Sequence, residues 1–359
     1  MKQLLSYCYV LIGLLSCTSQ EVPLYIGTYT DGKSEGIYHL KFNLETGYLS
    51  DSIVAFKTSN PSFLAYSPDK NYLYAVGETN DFSGTNSGYV SAYKVLGNGQ
   101  LQLLNQVSSY GAHPCHIAIN PSGNKAVVSN YTGGTVAIYP ILSDRGLGND
   151  PQVFDHNSEN KVSHAHSAQF FKDRLYVADL GLNAVLEYQE VSNKFELLSN
   201  SIVSLAENGG PRHFSLSENG AYIYIINEYA NTVTSAVRKD ARFQLLAHNT
   251  TLDSSFKGES YCADIHLSKD ENFLYGSNRG ENSIVVFKRN LTNGSLEKIQ
   301  TISAEGNWPR NFTLAPNGKF LLVANQKSNN ISVYSLNNAT GVLNFMYSKD
   351  FPAPVCLLF

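Results

Sequence analysis

Four side chains have the types needed for proton transfer on an anionic substrate: His166, Arg212, Glu228 and Arg279. The two guanidinium groups offer planar donors that match a carboxylate, a phosphate or a developing oxyanion. An imidazole titrates near neutrality, and a partly buried carboxylate can accept a proton or hold a neighbouring group in place. These groups suit attack of water on an ester or lactone, with either His166 or Glu228 as the base.

The sequence lacks the patterns that are usual for other kinds of catalytic site. No serine lies in a G-x-S-x-G turn, and no run of carboxylates indicates calcium or magnesium. His113 and His116 flank Cys115, but strand positions three apart point to opposite faces, so we expect no metal there. Cys115, Cys262 and Cys356 are widely spaced and odd in number, which favours small buried residues over a disulfide framework. The sequence therefore predicts a site without a cofactor.

An internal repeat explains why the four residues lie so far apart in the chain. Segments beginning at Pro114, Pro211 and Pro309 share a short alternating strand, a polar turn and a second apolar strand. The frame recurs about every 49 residues, so residues 17–359 hold seven units. The units start at Pro61, Pro114, Ala165, Pro211, Cys262, Pro309 and Pro354.

The last unit has only its first strand before the chain ends. Residues 24–27 resemble residues 73–76 and supply the next strand of that unit from the other terminus. A ring of sheets must close to avoid exposed edges. The sequence predicts an all-β fold, a seven-bladed β-propeller of four-stranded antiparallel blades in one domain over residues 17–359, its last blade closed by both termini. The alternative, two unrelated β-sandwiches, does not account for the constant repeat.

The first strand of each propeller blade lines the central channel, so repeated positions at its start form a ring around one mouth. The strand cores stay apolar in every repeat, whereas these mouth positions vary and are polar. Such variation on a uniform scaffold is typical of a functional site. Six further residues at the mouth are expected to bind substrate: His116, Tyr131, His213, Asp264, Arg310 and Gln326.

Structural roles are also open for some of these residues. A histidine or arginine beside the channel can simply hydrogen-bond a neighbouring blade, and Glu228 with Arg279 can form an ion pair between blades. The asparagines that precede the variable loop residues are expected to shape turns rather than bind a ligand. They are Asn130, Asn227, Asn278 and Asn325.

Composition excludes two broad classes of protein. Hydrophobic residues make up 43% of the chain and the net charge is only -4, which excludes intrinsic disorder. A pI near 6.1 gives no electrostatic reason to expect nucleic acid as a partner.

The N-terminus is typical of an exported lipoprotein. Lys2 precedes an apolar run, and Leu14-Leu15-Ser16-Cys17 resembles the bacterial lipobox. We expect residues 1–16 to be a signal peptide and Cys17 to carry lipid, as the protein's only contact with the membrane. The protein is then lipid-anchored in the bacterial cell envelope and faces the periplasm. The residues after Cys17 leave open which membrane holds it, and the sequence leaves the oligomeric state open.

Several motifs resemble those of bacterial 6-phosphogluconolactonase and carboxymuconate-cyclase-like lactonases. They are Tyr25-Ile-Gly-Thr-Tyr29, His164-Ala-His-Ser167, Val177-Ala-Asp-Leu-Gly181, Gly210-Pro-Arg-His213, Asn227-Glu228, Ser277-Asn-Arg-Gly280, Leu322-Val-Ala-Asn-Gln326 and Pro352-Ala-Pro-Val-Cys-Leu357. The resemblance implies a seven-bladed propeller, a small anionic sugar lactone as substrate, and His166, Arg212, Glu228 and Arg279 as the active residues. Two positions depart from the family pattern: the short turn at residues 171–174, and Asp264, where the family more often has Glu.

Three functions are compatible with these patterns. The first is metal-independent hydrolysis of a sugar-acid lactone at one mouth of the channel. Because phosphorylated lactones belong to the cytosol, an exported enzyme can equally hydrolyse an unphosphorylated lactone. The second is a propeller in the envelope that binds a ligand or a protein without turnover. The third is a cycloisomerase acting on dicarboxylates of the muconate type, held by two arginines.

Overall fold

The structure, a computed structural model, describes residues 21–240 and 242–359. The predicted signal peptide and the predicted lipidation site at Cys17 lie outside the described residues. Within the described ranges, none of the helical segments has the length and apolar composition that a bilayer crossing requires.

The described residues form seven four-stranded antiparallel sheets, as the repeat predicts. A single 3-10 turn lies at Phe82–Gly84. The strands are β1 Glu21–Thr28, β2 Gly36–Asn43, β3 Ile53–Lys57, β4 Leu64–Tyr66, β5 Tyr72–Gly77, β6 Tyr89–Val95, β7 Leu101–Ser108, β8 Pro114–Ile119, β9 Lys125–Asn130, β10 Thr135–Pro140, β11 Gln152–Asp155, β12 Ala165–Phe171, β13 Arg174–Asp179, β14 Ala184–Val191, β15 Lys194–Ser199, β16 Pro211–Leu216, β17 Tyr222–Asn227, β18 Thr232–Lys239, β19 Arg242–Thr250, β20 Tyr261–Leu267, β21 Phe273–Arg279, β22 Ser283–Arg289, β23 Leu296–Ser303, β24 Pro309–Leu314, β25 Phe320–Asn325, β26 Asn330–Leu336, β27 Leu343–Asp350 and β28 Pro354–Leu358.

We number the blades from 1 to 6 by their innermost strands, β4, β8, β12, β16, β20 and β24. Blade 7 has the order β28-β1-β2-β3 and so joins the C-terminal strand to three N-terminal strands. Tyr25 of β1 lies opposite Leu358 of β28 in this sheet. The predicted closure by both termini is confirmed.

Burial follows the position of each strand within its blade. The second strands, such as β9 and β17, are buried along their whole length because neighbouring blades cover both faces. The outermost strands, such as β27, are mostly exposed after their first residue. The continuous apolar runs of the second strands and the mixed outer strands are explained by this layering.

The turns between first and second strands use residues with positive φ. Gly123, Gly220 and Gly318 have φ of 68°, 72° and 70°, a region that favours glycine. In blade 3 the shortened turn instead places Lys172 at φ 55°, between the paired residues Phe171 and Arg174. The departure noted at residues 171–174 is therefore a two-residue hairpin far from the start of the strand.

The asparagines at the ends of the second strands are structural, as expected. Asn130, Asn227, Asn278 and Asn325 are fully buried. Their side-chain amides donate to loop carbonyls or to hydroxyls of the next strand; Asn325, for example, donates to the carbonyl of Ala304 at 3.0 Å and to the hydroxyl of Ser332 at 3.0 Å. They fix the loops that carry the variable mouth residues. The three cysteines of the described chain are free and buried.

Candidate active site

A β-bulge lies at the start of the innermost strand in most blades. Pro211 pairs with Asn227 and His213 pairs with Ile226, so Arg212 is an extra residue that opposes no partner. The same shift occurs at His166 and Arg310. A bulge bends the strand and re-aims its side chains. Successive side chains, which would otherwise alternate between faces, can then turn toward the same space.

A cavity among the inner strands shows this effect directly. Arg212 and His213 both line it, although they are adjacent in sequence, and so do Arg310 and Asn311. The other lining residues come from blades 1, 2 and 7: Ser62, Phe63, Cys115 and Val355. The bulges thus allow two neighbouring positions of each repeat to contribute to one site.

Arg212, Glu228 and Arg279 form the centre of the site. A single carboxylate oxygen, Oε2 of Glu228, lies 3.1 Å from Nε of Arg212 and 2.8 Å from Nη2 of Arg279. The Arg212 contact is an ion pair without hydrogen-bond alignment, since that Nε is a buried donor without an aligned acceptor. The ion pair between blades that the sequence left open is present, and it includes both arginines.

Backbone carbonyls fix both guanidinium groups. Arg212 donates from Nη1 to the carbonyl of Ala263 at 2.6 Å, across to blade 5. Arg279 donates to the carbonyls of Tyr261 at 3.2 Å and Cys262 at 2.9 Å. The two arginines are only 2% and 5% exposed. Their donors are therefore held in fixed directions, as a preorganised anion site requires.

Burial and mutual repulsion destabilise the charge on these arginines. Desolvation and the neighbouring arginines lower the pKa of Arg212, and desolvation lowers that of Arg279, while Glu228 opposes the shift in both. The carboxylate thus keeps two like charges together in a buried place. Glu228 itself is 14% exposed, and only its Oε2 atom is engaged by the arginines.

His166 lies beside this cluster, in blade 3. Its ring centroid is 5.2 Å from that of His213 and 5.7 Å from that of Tyr131. Its Nδ1 atom is buried without a hydrogen-bond partner among the described residues. Burial, then the charges of Arg212 and its neighbours, hold the pKa of His166 well below its usual range. The imidazole is consequently neutral at physiological pH, with a lone pair available for a proton.

His213 and Asp264 support Arg212. His213 donates from Nδ1 to Oδ1 of Asp264 at 2.7 Å, which leaves its Nε2 as an acceptor 3.3 Å from Nη1 of Arg212. Burial lowers the pKa of His213 to about 4. Asp264 also accepts from the amide of Asn311 at 2.6 Å and from Nε2 of His266 at 3.0 Å. Asp264 is 2% exposed, so the structure places it as a joint between blades 4, 5 and 6.

The remaining residues predicted to bind substrate lie at other positions around the mouth. The ring of His116 stacks on Phe63 at 4.2 Å, and the ring of Tyr131 stacks on His164 at 4.6 Å. Gln326 has a buried Oε1 atom without a partner in the described chain. Arg310 lies on the opposite arc of the mouth, over the ring of Tyr29 at 5.3 Å.

Sequence reasoning missed an aromatic border next to Arg279. The ring of Trp308 lies 5.3 Å from the guanidinium of Arg279 and 6.2 Å from the ring of Tyr261. Tyr229, which is 48% exposed, adjoins Tyr261 at 6.5 Å. The available signal was that Trp308, the only tryptophan of the chain, immediately precedes a repeat-starting proline.

The arrangement can bind an anion and move a proton. Two fixed guanidinium groups share one carboxylate, whose side chain is 14% exposed, and a neutral, buried imidazole lies beside them. Across residues 21–240 and 242–359, no group of three or more His, Cys, Asp or Glu side chains could hold a metal ion.

Known proteins share this fold and sequence over the whole described chain. The family model "Lactonase, 7-bladed beta-propeller" matches residues 23–359. A 6-phosphogluconolactonase of Bacillus subtilis is 30% identical, covering 93% of this chain and 97% of its own. A 6-phosphogluconolactonase of Formosa agariphila is 35% identical, covering 89% of this chain and 94% of its own.

A solved structure agrees in detail. The periplasmic gluconolactonase of Pseudomonas aeruginosa superposes with a TM-score of 0.84 at 28% identity, covering 94% of this chain and 98% of its own. With its seven blades and the family match over nearly every described residue, the chain belongs to the family of seven-bladed β-propeller lactonases.

Proposed function

We propose that the protein hydrolyses an anionic sugar-acid lactone, in the manner of a 6-phosphogluconolactonase, at the mouth where Glu228 joins Arg212 and Arg279. The observation that carries this proposal is the pair of guanidinium groups fixed on one carboxylate oxygen beside a neutral, buried imidazole. That set supplies both an oxyanion site and a proton acceptor, which are the two requirements for attack of water on an ester carbonyl.

The arginines act on the carbonyl oxygen. As water adds to the lactone carbon, negative charge builds on that oxygen, and Arg212 and Arg279 stabilise it. Their side chains are already oriented by the carbonyls of Ala263, Tyr261 and Cys262, so little reorganisation is needed during the reaction. Glu228 keeps the two cations together and in place.

His166 is the base in this proposal. It takes a proton from the attacking water as the new C–O bond forms. The tetrahedral intermediate then collapses, the bond from carbon to ring oxygen breaks, and the imidazolium returns the proton to that oxygen. The product is the open hydroxy acid. The lowered pKa of His166 favours fast return of the proton to the ring oxygen, whereas one oxygen of Glu228 is already engaged by two arginines.

The relatives support a sugar lactone as substrate. Two are named 6-phosphogluconolactonase, and the Pseudomonas structure is a gluconolactonase described as periplasmic. We keep the proposal that this chain is exported and anchored through Cys17, on the strength of its lipobox-like residues. A periplasmic location favours a sugar-acid lactone whether or not it is phosphorylated.

The test is hydrolysis of a panel of lactones by the purified protein, with and without chelator, alongside Arg279→Ala and His166→Ala. We expect turnover of a sugar lactone that chelator leaves unchanged and that falls at least about 100-fold in both variants. Full activity in both variants rejects this site, and loss with chelator rejects the metal-free mechanism. Tight binding of sugars without turnover would favour a binding propeller, and turnover of muconates a cycloisomerase.

A further inference from the structure

The arginines of the mouth differ in their ion pairs. Three arginines lie there, Arg212, Arg279 and Arg310, but Glu228 is shared by the first two. Asp264 is hydrogen-bonded to His213 and His266, and Glu78, which directly follows β5, accepts a hydrogen bond from the hydroxyl of Tyr29 at 2.9 Å. Among residues 21–240 and 242–359, no carboxylate lies within ion-pair distance of Arg310. Arg310 is therefore the one mouth arginine in the described ranges that forms no direct ion pair; burial opposes its charge, but Tyr29, Glu78 and Glu228 act from farther away and raise its pKa.

Arg310 is held by an aromatic ring instead of a carboxylate. Its guanidinium carbon lies 5.3 Å from the centre of the Tyr29 ring. A guanidinium stacked on a ring keeps its N–H donors in its own plane, where they stay available to a ligand. The hydrogen bond from Tyr29 to Glu78 fixes the ring that supports the guanidinium.

Arg310 also faces the same space as the proposed reaction centre. It lines the axial cavity together with Arg212. Burial first, and then neighbouring charges that include Arg310, lower the pKa of His166, Arg212 and Arg279, which puts Arg310 within electrostatic range of all three. Arg310 is in blade 6 and its supports are in blades 7 and 1, whereas the reaction centre spans blades 3 to 5.

We propose that Arg310 is an anion subsite that binds the carboxylate or phosphate carried by the substrate away from its lactone carbonyl. This inference rests on the proposed lactone hydrolysis and adds its substrate class. With the carbonyl at Arg212 and Arg279, in blades 4 and 5, Arg310 in blade 6 would meet a charged substituent on another side of the substrate ring. A neutral lactone forms no ion pair with that guanidinium, so we expect the site to prefer anionic lactones.

The first test compares substrates that differ only in the distant charge. In Arg310→Gln we expect the ratio of kcat/KM for 6-phosphogluconolactone to kcat/KM for gluconolactone to fall about 30-fold. A sugar monolactone with a terminal carboxylate separates the two anion types. Arg310→Lys should restore part of the preference, since it keeps the charge without the planar fork. Equal losses on charged and neutral lactones, or no loss, overturn the subsite.

A matched control tests whether losing any ring-stacked arginine has the same effect. Arg145 lies over the ring of Tyr72 at 5.7 Å, outside the channel. We expect Arg145→Gln to leave the ratio of the two kcat/KM values unchanged. A change in that ratio equal to the one in Arg310→Gln would show that the selectivity does not come from the subsite.

Binding of products makes the subsite testable without turnover. By calorimetry, wild-type protein should bind 6-phosphogluconate at least about tenfold more tightly than gluconate, and Arg310→Gln should abolish the difference. If the wild type hydrolyses no lactone but shows this difference, the proposed reaction fails and the subsite stands. If the wild type binds both acids equally, or the variant keeps the difference, the subsite is rejected.

Discussion

Glu228→Gln tests the role of the carboxylate that joins the two arginines. The substitution keeps the size of the side chain but removes the negative charge that neutralises two guanidinium groups. Their residues, Arg212 and Arg279, are only 2% and 5% exposed. The amide oxygen can accept from one arginine only, so the other loses its charged partner. Breaking a buried ion pair costs about 4 kcal/mol, and for a chain of this size that lowers Tm by roughly 6 °C.

The kinetic effect should fall on kcat rather than on KM. Without Glu228 the guanidinium groups repel each other and lose their fixed direction, so we expect kcat to fall about 100-fold, as when an oxyanion donor is removed. KM for an anionic lactone should stay the same or decrease, because the mouth becomes more positive by one unit. The acid limb of the pH–rate profile should persist, because in our proposal it belongs to His166.

The chain offers a matched control for this variant. Oε1 of Glu187 lies 3.0 Å from Nη1 of Arg174 and 2.8 Å from Nη2 of Arg238, so it too is a buried carboxylate shared by two arginines. It is on β14, the third strand of blade 3, away from the channel. Glu187→Gln should lose similar stability with kcat unchanged. If Glu228→Gln loses stability but keeps kcat, as expected for Glu187→Gln, then Glu228 has only a structural role. If the acid limb of the pH–rate profile disappears in Glu228→Gln, then Glu228 is the base.

Three other outcomes follow from the same contacts. In wild type, kcat/KM should stay level from neutral pH downward and fall only well below pH 6.5, where His166 becomes protonated because its pKa is lowered. In His166→Gln, the pH–rate profile should show a rate at least about 100-fold lower and should lack this acid limb. Asp264→Asn should lower Tm by roughly 6 °C in calorimetry and reduce kcat about tenfold, because His213 loses the acceptor that fixes its tautomer and blades 4, 5 and 6 lose a common partner. Cys17→Ser should move the protein from the membrane to the soluble fraction and abolish lipid labelling, whereas Ser19→Ala should do neither.

The fold could be predicted from the sequence because the repeat carries redundant information. Each unit shows an apolar strand, a polar turn and a second apolar strand, so errors in one unit are corrected by the others. The closing blade could be predicted for the same reason, since residues 24–27 match an internal segment while the final unit lacks its later strands. The seven repeats therefore determine the position of every strand relative to the propeller axis.

The contacts within the site could not be predicted in the same way. Strand alternation places Arg212 and His213 on opposite faces, and only the bulge between Pro211 and His213 lets both line one cavity. Proline at the first repeat position was a signal, because it donates no hydrogen bond to the ladder. No pattern in the sequence indicated that Glu228 joins both arginines or that Asp264 joins three blades, because those contacts depend on the angle between neighbouring sheets.

The bulges also explain how a uniform scaffold holds an asymmetric site. Because the extra residue has no partner in the ladder, its identity is free of the pairing that constrains the rest of the strand, and each blade can carry a different group there. Blades 3, 4 and 6 carry His166, Arg212 and Arg310 at this position, whereas blade 2 carries the apolar Cys115. The propeller thus supplies rigid walls. The unpaired residues of blades 3, 4 and 6 supply three polar groups of the mouth, while Glu228 follows β17 and Arg279 ends β21. A bulge residue can therefore be replaced, and substrate preference changed, without altering the pairing of the strands.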